Sequence, residues 1–283
     1  MNAQVSAQRV VRRTSSERML VTCMRLASFS VTVALSGAAF VACSASSSTA
    51  ASVPEILGGA ATSEHPAVGL VHLAVARSFC TGTLIAPDVV LTAGHCIEGD
   101  EKVDAFYTGS GQTVSDATTD PATLGMIRYA VVDQVRYPTF EYFYTCPNPA
   151  LDVALLRLAK PLTDIGAVAF GGTPRTGAAC TTVGFGSHET DGGEQFLEKR
   201  VATVTISGAV RETSLDVAAV DGISSHGDSG GPLFCDGMLV ATTSCQPDWP
   251  YDVVSYGNVS AGLPWLRAMV ERWDPKTTVD GGI

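Results

Sequence analysis

Six consecutive residues, GDSGGP at 227–232, combine a hydroxyl nucleophile, a carboxylate and three glycines. A serine hydroxyl is a poor nucleophile, so it needs a base that removes its proton and donors that hold the oxyanion formed after attack. Because glycine has no Cβ, a tight turn here could aim the N–H groups of Gly227 and Ser229 at that oxyanion. The segment therefore predicts a nucleophilic Ser229; the competing interpretation is a surface turn, because Gly, Asp, Ser and Pro all favour turns.

Two further segments could supply the base and the acid that such a serine needs. His95 lies in TAGHC at 92–96, directly after an apolar run, and Asp152 opens DVALLRL at 152–158. A carboxylate that accepts a hydrogen bond from a histidine fixes the imidazole tautomer and stabilises the imidazolium. The competing interpretations are a histidine that merely neighbours a disulfide and an acid that merely precedes a strand.

With TAGHC, DVALLRL and GDSGGPL in this order, the chain resembles the chymotrypsin/trypsin-like family of serine endopeptidases, from about Ile56 to Trp273. The resemblance implies an all-β fold of two six-stranded antiparallel β-barrels, with the active site between them and a C-terminal helix. It also implies a catalytic triad of His95, Asp152 and Ser229, with His95 as the base.

The resemblance assigns further roles near the triad. The N–H groups of Gly227 and Ser229 are implied to form the oxyanion hole, and Ser244 matches the family serine that supports Asp152. A serine esterase would use the same chemistry, but its nucleophile usually stands in GxSxG before a helix, and no helix is predicted after Ser229. A catalytically silent binding protein on the same fold is the remaining alternative, although such proteins usually lose a triad residue or an oxyanion glycine.

The sequence PEILGG at 54–59 resembles the activation site of the family. By this resemblance, cleavage between Glu55 and Ile56 frees an amine that pairs with Asp228 and orders the oxyanion turn. The pairing makes physical sense because an unpaired buried carboxylate costs several kcal/mol. Most family members have Arg or Lys in place of Glu55, and no Lys or Arg occurs between Arg25 and Arg77. We therefore expect a Glu-tolerant activating protease, or self-processing.

Composition and pattern agree with this architecture. The chain has 283 residues, is 46% hydrophobic and 16% charged, and is long enough for a sizeable core. Short apolar runs separated by turn residues predict many short strands in a barrel or sandwich. The runs lie at 71–75, 83–85, 89–91, 153–158, 201–206, 238–243 and 253–256. We place the first barrel at about 56–170, the second at about 171–262, a helix at about 263–273 and a tail at 274–283.

The predicted helix rests on two features of the C-terminal end. Pro264 suits a first helical turn, and Leu263, Leu266, Val270 and Trp273 fall on one face.

Six cysteines remain after Cys23 and Cys43 of the leader are set aside, an even number that suits a disulfide framework. The family resemblance implies a Cys80–Cys96 bridge beside the histidine and a Cys180–Cys235 bridge behind the nucleophile. A bridge is predicted for the remaining pair, Cys146–Cys245, where it would join the two barrels beside the substrate channel. A metal site is the competing interpretation, but the CxxC spacing of zinc sites is missing, so we expect no metal and no cofactor.

The N-terminal region has the pattern of an export signal. Residues 26–43 are apolar and uncharged and follow Arg25, so we interpret 1–43 as a leader and the Ser/Ala-rich 44–55 as a spacer and propeptide. FVAC at 40–43 resembles a bacterial lipoprotein box, which would put a lipid on Cys43; simple cleavage after Ala50 competes with it. The formal charge of −10 argues against nucleic acid as a partner. We expect a secreted or periplasmic monomer that acts on proteins or peptides.

Substrate preference is the least determined property. The resemblance places Ile223 at the base of the primary pocket, with Ser224 beside it and Val254 in the wall, which favours small or medium apolar side chains over Arg or Lys. Two features leave this open: Ser225 stands where the family usually has a cysteine, and Asp221 lies close enough for a shifted alignment to favour basic residues. The aromatic-rich segment 137–144 is expected either to overhang the cleft or to pack inside the barrel.

Overall fold

The computed structural model describes residues 57–141, 145–190, 193–247 and 253–273. The predicted leader, the spacer, the lipid site at Cys43, Ile56 and the tail lie outside the described residues.

Nine strands come from the first part of the chain, and six of them form a closed antiparallel barrel in the order β3-β4-β5-β9-β8-β6. Alternation of apolar and polar residues is weak in β4 and β5 because almost all of their side chains are buried. The strands are β1 (Leu57–Gly58), β2 (Ala60–Ala61), β3 (Val68–Leu73), β4 (Ser78–Ala86), β5 (Val89–Thr92), β6 (Val103–Thr108), β7 (Gly111–Val114), β8 (Ile127–Arg136) and β9 (Ala154–Leu158).

The second barrel is closed in the order β10-β16-β17-β18-β14-β13, with β13 pairing back onto β10. Strand β2 is added to it along β13, and β1 pairs with β15. The strands are β10 (Ala179–Gly184), β11 (His188–Thr190), β12 (Gly193–Glu198), β13 (Arg200–Ile206), β14 (Ser214–Ala219), β15 (Gly222–Ile223), β16 (Pro232–Cys235), β17 (Met238–Cys245) and β18 (Val253–Asn258). The predicted all-β fold of two six-stranded barrels is confirmed.

The C-terminal helix α1 (Val259–Trp273) begins earlier than the predicted residue 263. Asn258 explains the start, because its Oδ1 accepts hydrogen bonds from the N–H of Ser260 at 3.3 Å and the hydroxyl of Ser260 at 2.8 Å. Pro264 therefore lies inside the helix and not in its first turn, so the prediction for this residue is wrong. Among the described residues, no helix has the length and apolar character needed to cross a bilayer.

Three disulfides join Cys80 to Cys96, Cys146 to Cys245 and Cys180 to Cys235. The first and third are buried, whereas both cysteines of the second are partly exposed. Within the described residues, the one cluster with metal-type ligands is His95 with Cys80 and Cys96. Because those two cysteines are bonded to each other, neither offers a free thiolate to a metal.

Candidate active site

His95 and Asp152 are brought together by one pair of strands in the first barrel. Strands β5 and β9 are antiparallel with Thr92 opposite Ala154, so the residues that follow β5 and those that precede β9 meet at the same edge. His95 lies there in a 3-10 helix, Gly94–Ile97. Its Nδ1 is 2.7 Å from Asp152 Oδ2, and its backbone N–H donates to Asp152 Oδ1 at 2.9 Å. Asp152 thus holds both the ring and the backbone of His95.

Ser244 completes the environment of this carboxylate from the second barrel. Its hydroxyl donates to Asp152 Oδ2 at 2.6 Å. Burial by itself raises the pKa of Asp152, but the charge and hydrogen bonds of His95 and the Ser244 hydroxyl outweigh burial, so the pKa is lowered. Burial lowers the pKa of His95, and the Asp152 charge and hydrogen bond outweigh that effect, so the pKa is raised. Asp152 is therefore ionised, and its lone pairs assign the proton of His95 to Nδ1, which leaves Nε2 as the acceptor.

Backbone hydrogen bonds from both barrels fix the turn that carries Ser229. The N–H of Thr81 donates to the Ser229 carbonyl at 2.8 Å, and the N–H of Gly230 donates to the Thr243 carbonyl at 2.8 Å. Cys96 Sγ lies 3.8 Å from the same Ser229 carbonyl, which puts the turn against the residue that follows His95. No hydrogen bond joins the Ser229 hydroxyl to His95 among the described residues; such bonds are often long in ligand-free sites and shorten with substrate.

The backbone donors of this turn fall into two groups. The N–H groups of Asp228, Gly230 and Gly231 donate to carbonyls of the protein. For the N–H groups of Gly227 and Ser229, by contrast, the described part of the chain provides no acceptor. Two N–H groups that are left unpaired in one turn are available to an oxyanion.

Gly227 can hold this turn only because it lacks a side chain. Its φ is +95°, and a Cβ would lie 2.3 Å from Cε2 of Phe79. The hydroxyl of Thr81 donates to the Gly227 carbonyl at 2.9 Å and accepts from the N–H of Phe185 at 3.2 Å, which fixes the orientation of the Gly227 peptide. Sequence reasoning missed Thr81, because a threonine inside an apolar strand has no pattern that marks it as a contact across the barrels.

Asp228 is fully buried and accepts only backbone hydrogen bonds among the described residues. The N–H of Gly186 donates to Oδ1 and the N–H of Ser225 donates to Oδ2, each at 2.8 Å. A Cβ on Gly186 would come within 2.5 Å of the carboxylate, so the close approach requires glycine. Burial raises the pKa of Asp228 from 3.8 to about 7, although both backbone bonds and the charge of Arg200 act in the opposite direction. This carboxylate is therefore well hydrogen-bonded but short of positive charge.

Residues 57–59, which follow the predicted cleavage point, lie beside residues 221–223. Leu57 pairs with Ile223 and Gly58 with Gly222, and the N–H of Gly59 donates to the Asp221 carbonyl at 3.0 Å. Asp221 is exposed, and its Oδ1 accepts a hydrogen bond from the N–H of Thr203 in β13 at 2.6 Å. A basic preference that depends on Asp221 thus has no support in the structure.

The three predicted pocket residues are all buried. Ile223 is 0%, Ser224 3% and Val254 2% exposed, and Ile223 and Val254 belong to the apolar core of the second barrel. The Ser224 hydroxyl contacts the hydroxyls of Tyr256 at 2.5 Å and Thr182 at 3.0 Å, so it is fully engaged inside the barrel. Sequence reasoning missed Tyr256, which would have been expected to be an ordinary core aromatic.

Ser225 stands where the family usually has a cysteine, and its hydroxyl makes a hydrogen bond to a neighbouring loop in place of a disulfide. Its hydroxyl lies 2.8 Å from the Ser187 hydroxyl, a hydrogen bond between the same two loops that carry the backbone donors to Asp228. His226 is exposed on the turn before Gly227.

Two aromatic side chains in the described part of the aromatic segment 137–144, Tyr137 and Phe140, pack against other parts of the protein. Tyr137 makes an edge-to-face contact with Trp265 of α1, with ring centroids 5.3 Å apart. The Phe140 ring is buried and lies against Gly94, the residue before His95. Residues 142–144 lie outside the described residues. Of the two expectations for this segment, overhang of the cleft or internal packing, Tyr137 and Phe140 agree with internal packing.

Comparisons with known proteins identify the family of the chain. A family model described as Trypsin matches residues 56–257. The chain is 28% identical over 208 residues to a trypsin of Saccharopolyspora erythraea, a match that covers 67% of this chain and 86% of that protein. It is 29% identical over 217 residues to chymotrypsin-like elastase family member 1 of Canis lupus familiaris, which covers 68% and 81%.

Solved structures show the same fold. Neuropsin, a serine protease expressed in the limbic system of mouse brain, matches with a TM-score of 0.59 and 22% identity over 75% of this chain and 98% of that chain. A mutant of human heparin binding protein matches with a TM-score of 0.61 and 18% identity over 78% and 98%. The family model covers well over half of the sequence, and the chain therefore belongs to the trypsin family and is a serine-type endopeptidase.

Proposed function

We propose that this protein is an exported endopeptidase that cleaves peptide bonds through a triad of Ser229, His95 and Asp152. The observation that carries the proposal is the hydrogen-bonded series Ser244, Asp152 and His95, next to a turn in which the N–H groups of Gly227 and Ser229 are left without an acceptor in the described chain. A binding protein would have no use for that combination of an oriented base and two open donors.

The chemistry follows from this arrangement. Nε2 of His95 takes the Ser229 proton while Oγ attacks the substrate carbonyl carbon, and the N–H groups of Gly227 and Ser229 stabilise the oxyanion. The imidazolium, stabilised by Asp152, then gives its proton to the leaving amine as the peptide bond breaks. Water, deprotonated by His95, attacks the acyl-enzyme and releases the acid product with Ser229 restored.

Activation by cleavage before Ile56 is supported by the surroundings of Asp228. A fully buried carboxylate with a pKa raised to about 7 is stabilised by a nearby cation. The new amine at Ile56 would provide that cation, and Leu57 and Gly58 already pair with β15 next to Ser225. The order of the oxyanion turn would then depend on this ion pair, because Asp228 lies between Gly227 and Ser229.

The direct test is to treat the processed protein with a serine-reactive organophosphonate and to map the adduct by mass spectrometry, with the N-terminus read from the same digest. We expect an adduct on Ser229 when the chain begins at Ile56, and none in Ser229→Ala. The variant Ser225→Ala serves as the control, since it removes a neighbouring hydroxyl of the same loop. A chain that begins at Ile56 and forms no adduct would instead support a catalytically silent binding protein.

The apolar character of Ile223 and Val254, which the family resemblance places at the base and wall of the primary pocket, supports a preference for small or medium apolar side chains. We expect Val254→Gly to raise kcat/KM for a Phe substrate relative to an Ala substrate by roughly 10- to 200-fold, the range for added methylenes in apolar pockets. The ratio of the two kcat/KM values is measured in a mixture in which the Ala and Phe peptides compete for the enzyme. Val204→Gly, at a buried valine of the same core, controls for lost stability and is expected to leave the ratio unchanged. An unchanged ratio in Val254→Gly would show that Val254 does not line the pocket.

Export is supported by the apolar leader and by three disulfides, which form and persist in oxidising compartments. A lipid on Cys43 and the identity of the activating protease remain part of the proposal. Mass spectrometry of the mature N-terminus would separate a lipidated Cys43 from free secretion.

A further inference from the structure

Arg200, the first residue of β13, contacts the segment that follows the proposed cleavage point. Its Nη2 donates to the carbonyls of Gly58 and Gly59, each at 2.8 Å, and its Nη1 donates to Glu198 Oε2 at 2.8 Å. A guanidinium presents its donors in one rigid plane, so three simultaneous acceptors fix its position. The Arg200 side chain is only 17% exposed, which strengthens these charge-assisted bonds.

The backbone of Arg200 holds the same segment. Arg200 pairs with Ala61 and Val201 with Ala60, so the main chain and the side chain of one residue bind consecutive parts of 58–61. On the other side, Gly58 pairs with Gly222. Glycine itself brings no side chain that could anchor this stretch. The guanidinium therefore supplies the side-chain contacts to Gly58 and Gly59 within the described residues.

The charge of Arg200 also acts on the nucleophile turn. It lowers the pKa of Asp228, although burial has the larger effect and raises it. His188 is buried beside the same cluster, with Nε2 3.8 Å from Glu198 Oε2, and burial and the Arg200 charge lower its pKa. The imidazole is therefore neutral, and the Arg200 guanidinium is the cation that joins Glu198 to the segment 58–59.

We propose that Arg200 is a positioning residue, which anchors the newly cut N-terminal segment and so delivers the Ile56 amine to Asp228. The inference rests on the proposed activation before Ile56. Two residues span at most about 7 Å of extended chain, so an amine two residues before an anchored Gly58 can explore only a small volume. Anchoring thereby reduces the backbone entropy that is lost when the amine inserts.

The experiment needs a defined cut in the full-length protein. Glu55→Lys creates a single basic site between Arg25 and Arg77, which trypsin can cleave to leave Ile56 first. In this background we compare wild-type Arg200 with Arg200→Gln, which removes the cation, and Arg200→Lys, which keeps the charge but not the planar fork. Arg211→Gln is the matched control, since it breaks an arginine–carboxylate pair, with Asp216, at another place. The readouts are the rate at which acetic anhydride modifies the Ile56 amine, and kcat and KM for a peptide ester.

We expect Arg200→Gln to speed modification of the Ile56 amine and to lower kcat, each by about tenfold or more, as for the loss of a hydrogen bond to a charged group. Arg200→Lys should fall in between, and Arg211→Gln should match the wild type. If Arg200→Gln does not fold, Arg200→Lys carries the test alone. A protected Ile56 with equal modification rates in all variants would overturn the role of Arg200 but keep the proposed activation. An unprotected Ile56 in the cut wild type would overturn both.

Discussion

Asp152→Asn is expected to lower kcat by about four orders of magnitude while Ser229 stays in place. Asp152 accepts hydrogen bonds from Nδ1 and the backbone N–H of His95 and from Ser244. An amide that turns its NH₂ group toward Nδ1 would force the imidazole proton onto Nε2, which then cannot accept the serine proton. The measurement is kcat for a peptide substrate, on protein that begins at Ile56.

The pH profile distinguishes this mechanism from a general loss of structure. In the wild type the acid limb of kcat/KM should have its midpoint above 6.5, because Asp152 raises the pKa of His95 against the effect of burial. In Asp152→Asn the midpoint should fall, since the raising charge is gone. Ser244→Ala should lower kcat/KM only roughly tenfold, because it removes one hydrogen bond to a charged group. Asp164→Asn, at an exposed acid, is the control and should change neither kcat/KM nor the midpoint. Full activity in Asp152→Asn would refute the triad assignment.

The second large effect is on the stability of the uncut chain. The pKa of Asp228 in the folded chain is about 7, above its ordinary 3.8, so between these values the native state binds more protons than the unfolded state. Stability therefore falls as pH rises through that window, by up to about 4 kcal/mol for a shift of about three units, and is flat above it. Cleavage before Ile56 should remove most of this loss, because the ammonium pairs with Asp228.

The measurement is the free energy of unfolding at pH 5 and pH 7.5 for the cut and uncut forms, both carrying Ser229→Ala so that neither digests itself. From pH 5 to pH 7.5, the free energy of unfolding should fall further in the uncut form than in the cut form. Groups that titrate in both forms, including His65 and His188, contribute equally to the two changes and cancel in the comparison. Asp228→Asn should erase the difference because nothing titrates at that position. Identical pH dependence in the cut and uncut forms would mean that the amine does not reach Asp228.

Local motifs made the barrels and the contact between His95 and Asp152 predictable. TAGHC, DVALLRL and GDSGGPL each combine a reactive residue with the apolar or glycine neighbours that position it, so their local sequence already contains most of the geometry. The helix start was misjudged because the capping residue, Asn258, is also the last residue of a strand. Pattern alone cannot assign one residue to two elements.

The contacts that depend on tertiary structure could not be read from the sequence. Lys199 and Arg200 follow Glu198 in a polar run that is typical of a solvated strand edge, yet Lys199 is only 1% exposed. Its Nζ donates to the His65 carbonyl at 3.1 Å and lies 5.7 Å from the centre of the Phe185 ring, and burial lowers its pKa to about 8. Lys199 and Arg200 bind backbone carbonyls of a segment more than a hundred residues away, so these contacts form only when the chain packs.

The bridge between Cys146 and Cys245 has a consequence for damage by self-digestion. These cysteines lie 99 residues apart, and residues 159–178, which connect β9 of the first barrel to β10 of the second, fall between them. A single backbone cut anywhere in that span leaves the two fragments covalently joined. Such nicks would therefore be invisible on a non-reducing gel and would separate into two bands only after reduction, so a preparation of one apparent species can consist largely of clipped molecules.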